Sequence, residues 1–162
     1  LAHSGAAFDR DGALAARGHV DEAVLSKLLS DPYFSAPPPK SLDRNAFGSA
    51  PLASLSDRDG ATTLVAFTAQ AVALGLERCP EKTRRLLVTG GGRHNPALMS
   101  ALAERTGVPV EPVETLGWRG DALEAEAFAF LAVRSLNGKV LSLPETTGVS
   151  QPQCGGVLHR AG

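Results

Sequence analysis

The chain has 162 residues, of which 43% are hydrophobic, with 16 Lys and Arg against 17 Asp and Glu. That length suits one globular domain with a real core. The net charge of −1, with both signs dispersed, excludes an electrostatic case for a nucleic-acid or anionic-membrane partner. No apolar run approaches the ~20 residues of a membrane span and no leader pattern is visible, so a cytoplasmic, unanchored chain is expected. Cys79 and Cys154 stand far apart without a CxxC or Cys/His cluster, which argues against a disulfide framework or a zinc site. The sequence starts at Leu1 in an Ala/His/Ser/Gly stretch, as a processed or truncated product would.

In chain order, Phe8-Asp9-Arg10-Asp11-Gly12 reads as a turn, and Val20 to Ser30 as a helix with Val24, Leu25, Leu28 and Leu29 on one side. Asp31-Pro32 ends it. Ala36 to Ser41, with three consecutive prolines, is an extended connector: either a surface linker or a shaped loop beside a site. Ser56 with Asp57 and Asp59 caps a long helix, Ala61 to Leu76, whose apolar positions are Leu64, Phe67, Ala71 and Leu74. Arg84 to Thr89 is a short buried strand that runs into Gly90-Gly91-Gly92. Asn95-Pro96 opens a helix that stops at Gly107. Val108 to Val113 is a second strand, kept at an edge by its prolines. A fourth helix spans about Arg119 to Leu136 and stops at Asn137-Gly138. Alternation of helix and strand predicts an α/β fold with a mostly parallel sheet.

Three places could carry chemistry. A strand ending in consecutive glycines and turning into a helix offers bare backbone and a helix N-terminus to a nucleotide. The turn matches neither GxxxxGK[ST] nor GxGxxG, and a structural chain reversal is the competing reading. In the fourth helix, Asp121 and Glu124 share a side with Phe128 and Leu131. The opposite side, with Leu123, Ala127, Phe130 and Val133, is apolar too, which predicts a helix buried in a core or between lobes. Two carboxylates on an apolar side are costly without partners, and the competing reading is that they only cap the first turn, while Glu126 reads as solvated. Thr146 to Ser150 reads as a turn that bonds its own backbone. His3, His19, His94 and His159 lack metal-ligand spacing, so no metal ligand is assigned. Cys154-Gly155-Gly156 reads as the start of a packed strand before Val157 and Leu158.

Phe8 to Gly12, Asp31-Pro32-Tyr33-Phe34, Pro37-Pro38-Pro39-Lys40-Ser41, Val88 to Pro96 and Gly120 to Ala129 together resemble the C-terminal half of bacterial anhydro-N-acetylmuramic acid kinase. The resemblance covers nearly the whole chain. It implies membership of the sugar-kinase, heat-shock chaperone and actin superfamily, in which two ribonuclease-H-like α/β lobes close on ATP and Mg2+. It also implies a reaction that opens 1,6-anhydro-N-acetylmuramic acid with water and phosphorylates O6, in peptidoglycan recycling. Residues 1–162 would be one such lobe: 1–55 an irregular, Pro-rich extension and 56–162 the α/β core. Gly90, Gly91, Gly92 and Asn95 would form the adenosine motif, and Asp121 to Glu124 would begin a helix near the cleft. Homodimers follow from the resemblance alone.

The family's phosphate loops and its water-activating aspartate precede the matched region. Asp57-Arg58-Asp59-Gly60 stands before a long helix instead of after a strand, so no catalytic residue is assigned here. A lone lobe is expected to bind nucleotide weakly and not to turn over. Two alternatives share the same residues: a non-catalytic nucleotide-binding module, or one half of a split enzyme completed by another polypeptide.

Overall fold

The computed structural model describes residues 8–43, 46–48 and 50–159. Its first elements are 3-10 turns at Arg10–Gly12 and Ala15–Arg17, helix α1 (Glu22–Leu29) and the short helix α2 (Pro32–Ser35). Helix α3 (Asp57–Leu76), strand β1 (Leu86–Val88), a 3-10 turn at Gly91–His94, helix α4 (Pro96–Thr106) and strand β2 (Val110–Pro112) follow. A 3-10 turn at Val113–Leu116, helix α5 (Leu123–Leu136) and the short helix α6 (Pro144–Thr147) complete the order.

Four helices start where the sequence offers a capping oxygen. Asp21 accepts from the Val24 amide at 2.9 Å, Asp31 from Tyr33 at 2.8 Å, Ser56 from Asp59 at 3.1 Å and Asn95 from Leu98 at 3.1 Å. Each satisfies an amide that the first helical turn leaves without a partner. Gly107, at φ 67°, ends α4 in the left-handed conformation.

β1 and β2 pair in parallel, with Leu86 opposite Val110, Leu87 opposite Glu111 and Val88 opposite Pro112. Helix α4 connects them, so the two strands and α4 form one β-α-β unit. Among the described residues this sheet has two strands, and β1 is half-buried where a buried strand is expected. The fold class is α/β, as the alternation of elements predicts.

Helix α3 is the packing centre, lying most extensively on α4 and also on α1 and the Ala15–Arg17 turn. Its buried face is Thr63, Ala66, Ala69 and Ala73, not the expected Leu64, Phe67, Ala71 and Leu74. Alanines let neighbouring backbones approach closely, and the larger residues go elsewhere. Leu64 is exposed, and Phe67 joins a ring cluster with Phe34 and Phe47 at centroid distances of 5.7 and 5.3 Å. Thr62 donates to the Ala15 carbonyl at 2.6 Å and buried Thr63 accepts from the Asp21 amide at 3.0 Å, which stitches the N-terminal segment to α3. With 20 residues and a mean hydropathy of 1.2, α3 is long and apolar enough to cross a membrane. Its many alanines raise hydropathy without large side chains, and in the fold it is the helix on which α4 and α1 pack.

Helix α5 begins at Leu123, four residues later than expected. Residues 119–122 form a turn in which the Ala122 amide donates to the Arg119 carbonyl at 2.9 Å, so Asp121 precedes the helix. Nor is α5 buried. Phe128, Phe130, Val133 and Leu136 are 65%, 63%, 59% and 64% exposed, because no other described element covers them. Glu126 is exposed, as expected, and pairs with the exposed Arg119. The strand expected at Cys154 does not form: Gln153 makes a single antiparallel bridge to Ser142, and Val157 and Leu158 remain exposed.

Candidate functional site

The glycine turn stands at the carboxyl end of β1, where ligands collect in α/β folds. Gly90 sits at φ 72° and ψ −176°, a conformation closed to side-chain-bearing residues. Gly90 and Gly91 are exposed, and a Cβ built on either would meet nothing within 4 Å. Backbone here therefore borders open space. Gly92 faces Leu98, whose Cδ2 lies 3.1 Å from where its Cβ would be.

Asn95 caps α4 and also touches the first motif of the chain. A Cβ on Gly12 would stand 2.1 Å from Asn95 Oδ1, so the Arg10–Gly12 turn packs directly against this cap. Asp9 fixes that turn by accepting from the Leu14 and Ala15 amides at 2.8 and 3.0 Å. Two segments far apart in sequence are thus one piece of structure beside the glycines.

Arg93, which sequence reasoning missed, lies at the centre of the site. Its side chain is 3% exposed, and each of its three nitrogens has a partner. Nε donates to Glu114 Oε1, Nη1 to the Gly90 carbonyl and Nη2 to Asp121 Oδ1, all at 2.8 Å. The available signal was a lone arginine inside a glycine turn with acids on both following elements. Gly120 is buried against this group: a Cβ there would lie 2.4 Å from Arg93 Nε and 2.6 Å from Glu114 Oε1. Its carbonyl accepts from Thr89 Oγ at 3.1 Å and from the Gly90 amide at 3.4 Å, tying the two glycine segments together.

Charge follows this geometry. The hydrogen bond from Arg93 holds the Asp121 carboxyl below its ordinary pKa, and the same bond raises that of Arg93. Glu114 is also held low, first by its own backbone amide and then by Arg93. His94 Nε2 stands 3.6 Å from Asp121 Oδ1. Asp121 is thus joined to the glycine turn, whereas Glu124 is exposed in the first turn of α5 and takes no part in the Arg93 ion pairs.

Other expected features occupy separate places. Lys40 lies over the Tyr33 ring at 4.5 Å and donates to the Tyr33 carbonyl at 2.5 Å, so the Pro-rich segment is a fixed loop on α2. A Cβ on Gly148 would be 3.4 Å from Pro39 Cγ, which brings that loop beside the hydroxyl-rich turn. Thr146 Oγ donates to the Leu143 carbonyl at 3.0 Å, so the hydroxyl bonds locally. His3 lies outside the described residues. A groove of about 610 Å³ runs between α5 and the C-terminal segment, lined by Phe128, Leu131, Leu136, Leu141, Val157 and Leu158 among others.

The sequence model of anhydro-N-acetylmuramic acid kinase matches residues 1–161. The chain belongs to this family. It is 58% identical over 163 residues to the Acidiphilium cryptum protein named anhydro-N-acetylmuramic acid kinase, covering 99% of this chain and 45% of that one. It is 56% identical over 160 residues to the protein of that name from Rhizorhabdus wittichii, covering 99% of this chain and 44% of that one. Against the Mesorhizobium japonicum protein, also so named, identity is 57% over 151 residues, with 93% and 41% covered. The chain thus spans less than half the length of the curated family members it matches.

Proposed function

We propose that this chain is the adenosine-side lobe, of the actin-like ATPase type, of a cytoplasmic kinase that opens and phosphorylates 1,6-anhydro-N-acetylmuramic acid to N-acetylmuramic acid 6-phosphate. The observation that carries the reading is the glycine turn itself. Exposed backbone at Gly90 and Gly91 borders empty space at the end of a parallel strand, in a chain of this kinase family. ATP, which supplies the phosphoryl group, fits there by its adenosine part: Gly90 to Gly92 would border the base or ribose, and Asn95 would hold the following helix in place.

A metal is another matter. Among the described residues no group of three or more His, Cys, Asp or Glu side chains is arranged to hold one, and Asp121 and Glu114 are engaged by Arg93. The residues present do not fit Mg2+, and no step through it is derived. Phosphoryl transfer needs charge stabilisation and positioning from several sides of the phosphates. The chain's own residues offer binding and orientation, so the lobe alone should not turn over.

The bare apolar face of α5 favours a completing body, either the rest of a longer polypeptide or a separate chain, over a module that works alone. A chimera tests the assignment: this chain replaces the matched 45% of the Acidiphilium cryptum protein. Phosphorylation of the anhydro sugar by the chimera, with none by the chain alone, is the expected result. A folded chimera that fails where the intact relative succeeds would refute the reading.

A further inference from the structure

We infer that Arg93 is a positioning residue for the nucleotide turn, holding the backbone of Gly90 to Gly92 in the shape that meets the ligand. The inference rests on the nucleotide reading of that turn. Arginine is almost never buried unless paired, and here the guanidinium fork is fully engaged. Its three partners come from different places: the Gly90 carbonyl in the turn, Glu114 after β2, and Asp121 before α5. Charge-assisted bonds of 2.8 Å to all three fix distance and angle at once. One arginine and two carboxylates sum to a single negative charge, so this group does not attract phosphate. Its effect on a ligand runs through the turn.

The packing around it agrees. Gly120 has no room for a side chain beside the guanidinium, and its carbonyl receives the Gly90 amide. A shortened residue 93 would free the Gly90 carbonyl and leave two carboxylates facing each other. The turn would then sample other conformations, and ordering it again would weaken binding.

The test is calorimetric titration of the full chain with ADP, using wild type, Arg93→Ala, Arg93→Lys, Asp121→Asn and Gly91→Val, each checked for native helix content by circular dichroism. Arg93→Ala should lose affinity about tenfold or more, with Arg93→Lys in between. Methylguanidinium should restore binding to Arg93→Ala by refilling the vacated site, and should do nothing for Gly91→Val. A merely structural arginine would not show that selective rescue. If Arg93→Ala does not fold, Arg93→Lys and Asp121→Asn carry the test, each expected to weaken ADP by about threefold. Wild-type affinity in the folded Arg93 variants, beside a Gly91→Val protein that has lost ADP, overturns the positioning role alone. No ADP binding by wild type, or unchanged binding by Gly91→Val, overturns the nucleotide reading and this inference with it.

Discussion

A methyl group at position 120 would meet the Arg93 guanidinium and the Glu114 carboxylate inside normal contact distance, whereas one at position 91 would meet nothing. The two glycines therefore separate structure from binding. Gly120→Ala should lower the thermal midpoint by pushing apart buried charged groups, measured by circular dichroism melting. Gly91→Val should leave that midpoint within a few degrees of wild type, because Gly91 is outside the left-handed region. The same scale gives a pH dependence. Asp121 ionises more readily in the folded chain than in the unfolded one, so the stability it contributes is complete above its ordinary value of about 4. That contribution disappears as pH falls through the lower folded value. Urea midpoints between about pH 5 and pH 3 should thus fall more steeply in wild type than in Asp121→Asn. Glu114 and Asp59, also held low, leave the variant some acid sensitivity of its own. A slope unchanged by Asp121→Asn would remove the Arg93 pair as a source of stability.

At the scale of elements, what was legible in the sequence is local. Ser56, Asn95, Gly107 and Gly138 mark helix ends because caps act within one turn of their own residue. Asn95→Ala should cost about 1 kcal/mol of stability in urea denaturation. Leu102, 5% exposed on α4, should cost about 2 to 5 kcal/mol when cut to alanine. The buried face of α3 differs from the one its large apolar residues predict, for a physical reason. Large apolar residues predict a core only if space for them exists, and α4 approaches closely enough that alanines fill the contact. Helix α5 starts later than the sequence predicts because the Arg93–Asp121 pair, a contact between distant segments, holds Asp121 in the preceding turn. Arg93 itself gave no periodic signal, and its importance appears only when Glu114 and Asp121 converge on it. Residue types at the glycine turn were legible because bare backbone must be written as glycine.

For the whole molecule, the informative surface is the one left open. Four large apolar side chains on α5 are more than half exposed, and the groove between α5 and the C-terminal segment is apolar as well. These residues lie on both sides of α5, and monomeric soluble proteins seldom leave so much large apolar surface bare. Phe130→Ser with Val133→Ser should reduce binding of an apolar fluorescent dye and self-association in light scattering, without shifting the thermal midpoint; equal dye binding would mean that the face is already covered in solution. The chain spans 44–45% of its kinase relatives, α5 is open and the glycine turn is bare, and the proposed two-lobe reading accounts for all three. The most direct test is titration of the wild-type chain and Gly91→Val with Mg-ATP and ADP by calorimetry. The account predicts binding in the millimolar to micromolar range, roughly −4 to −8 kcal/mol, that the variant loses. Equal binding by both proteins, or none by either, would contradict the claim that this turn binds nucleotide in the lone chain.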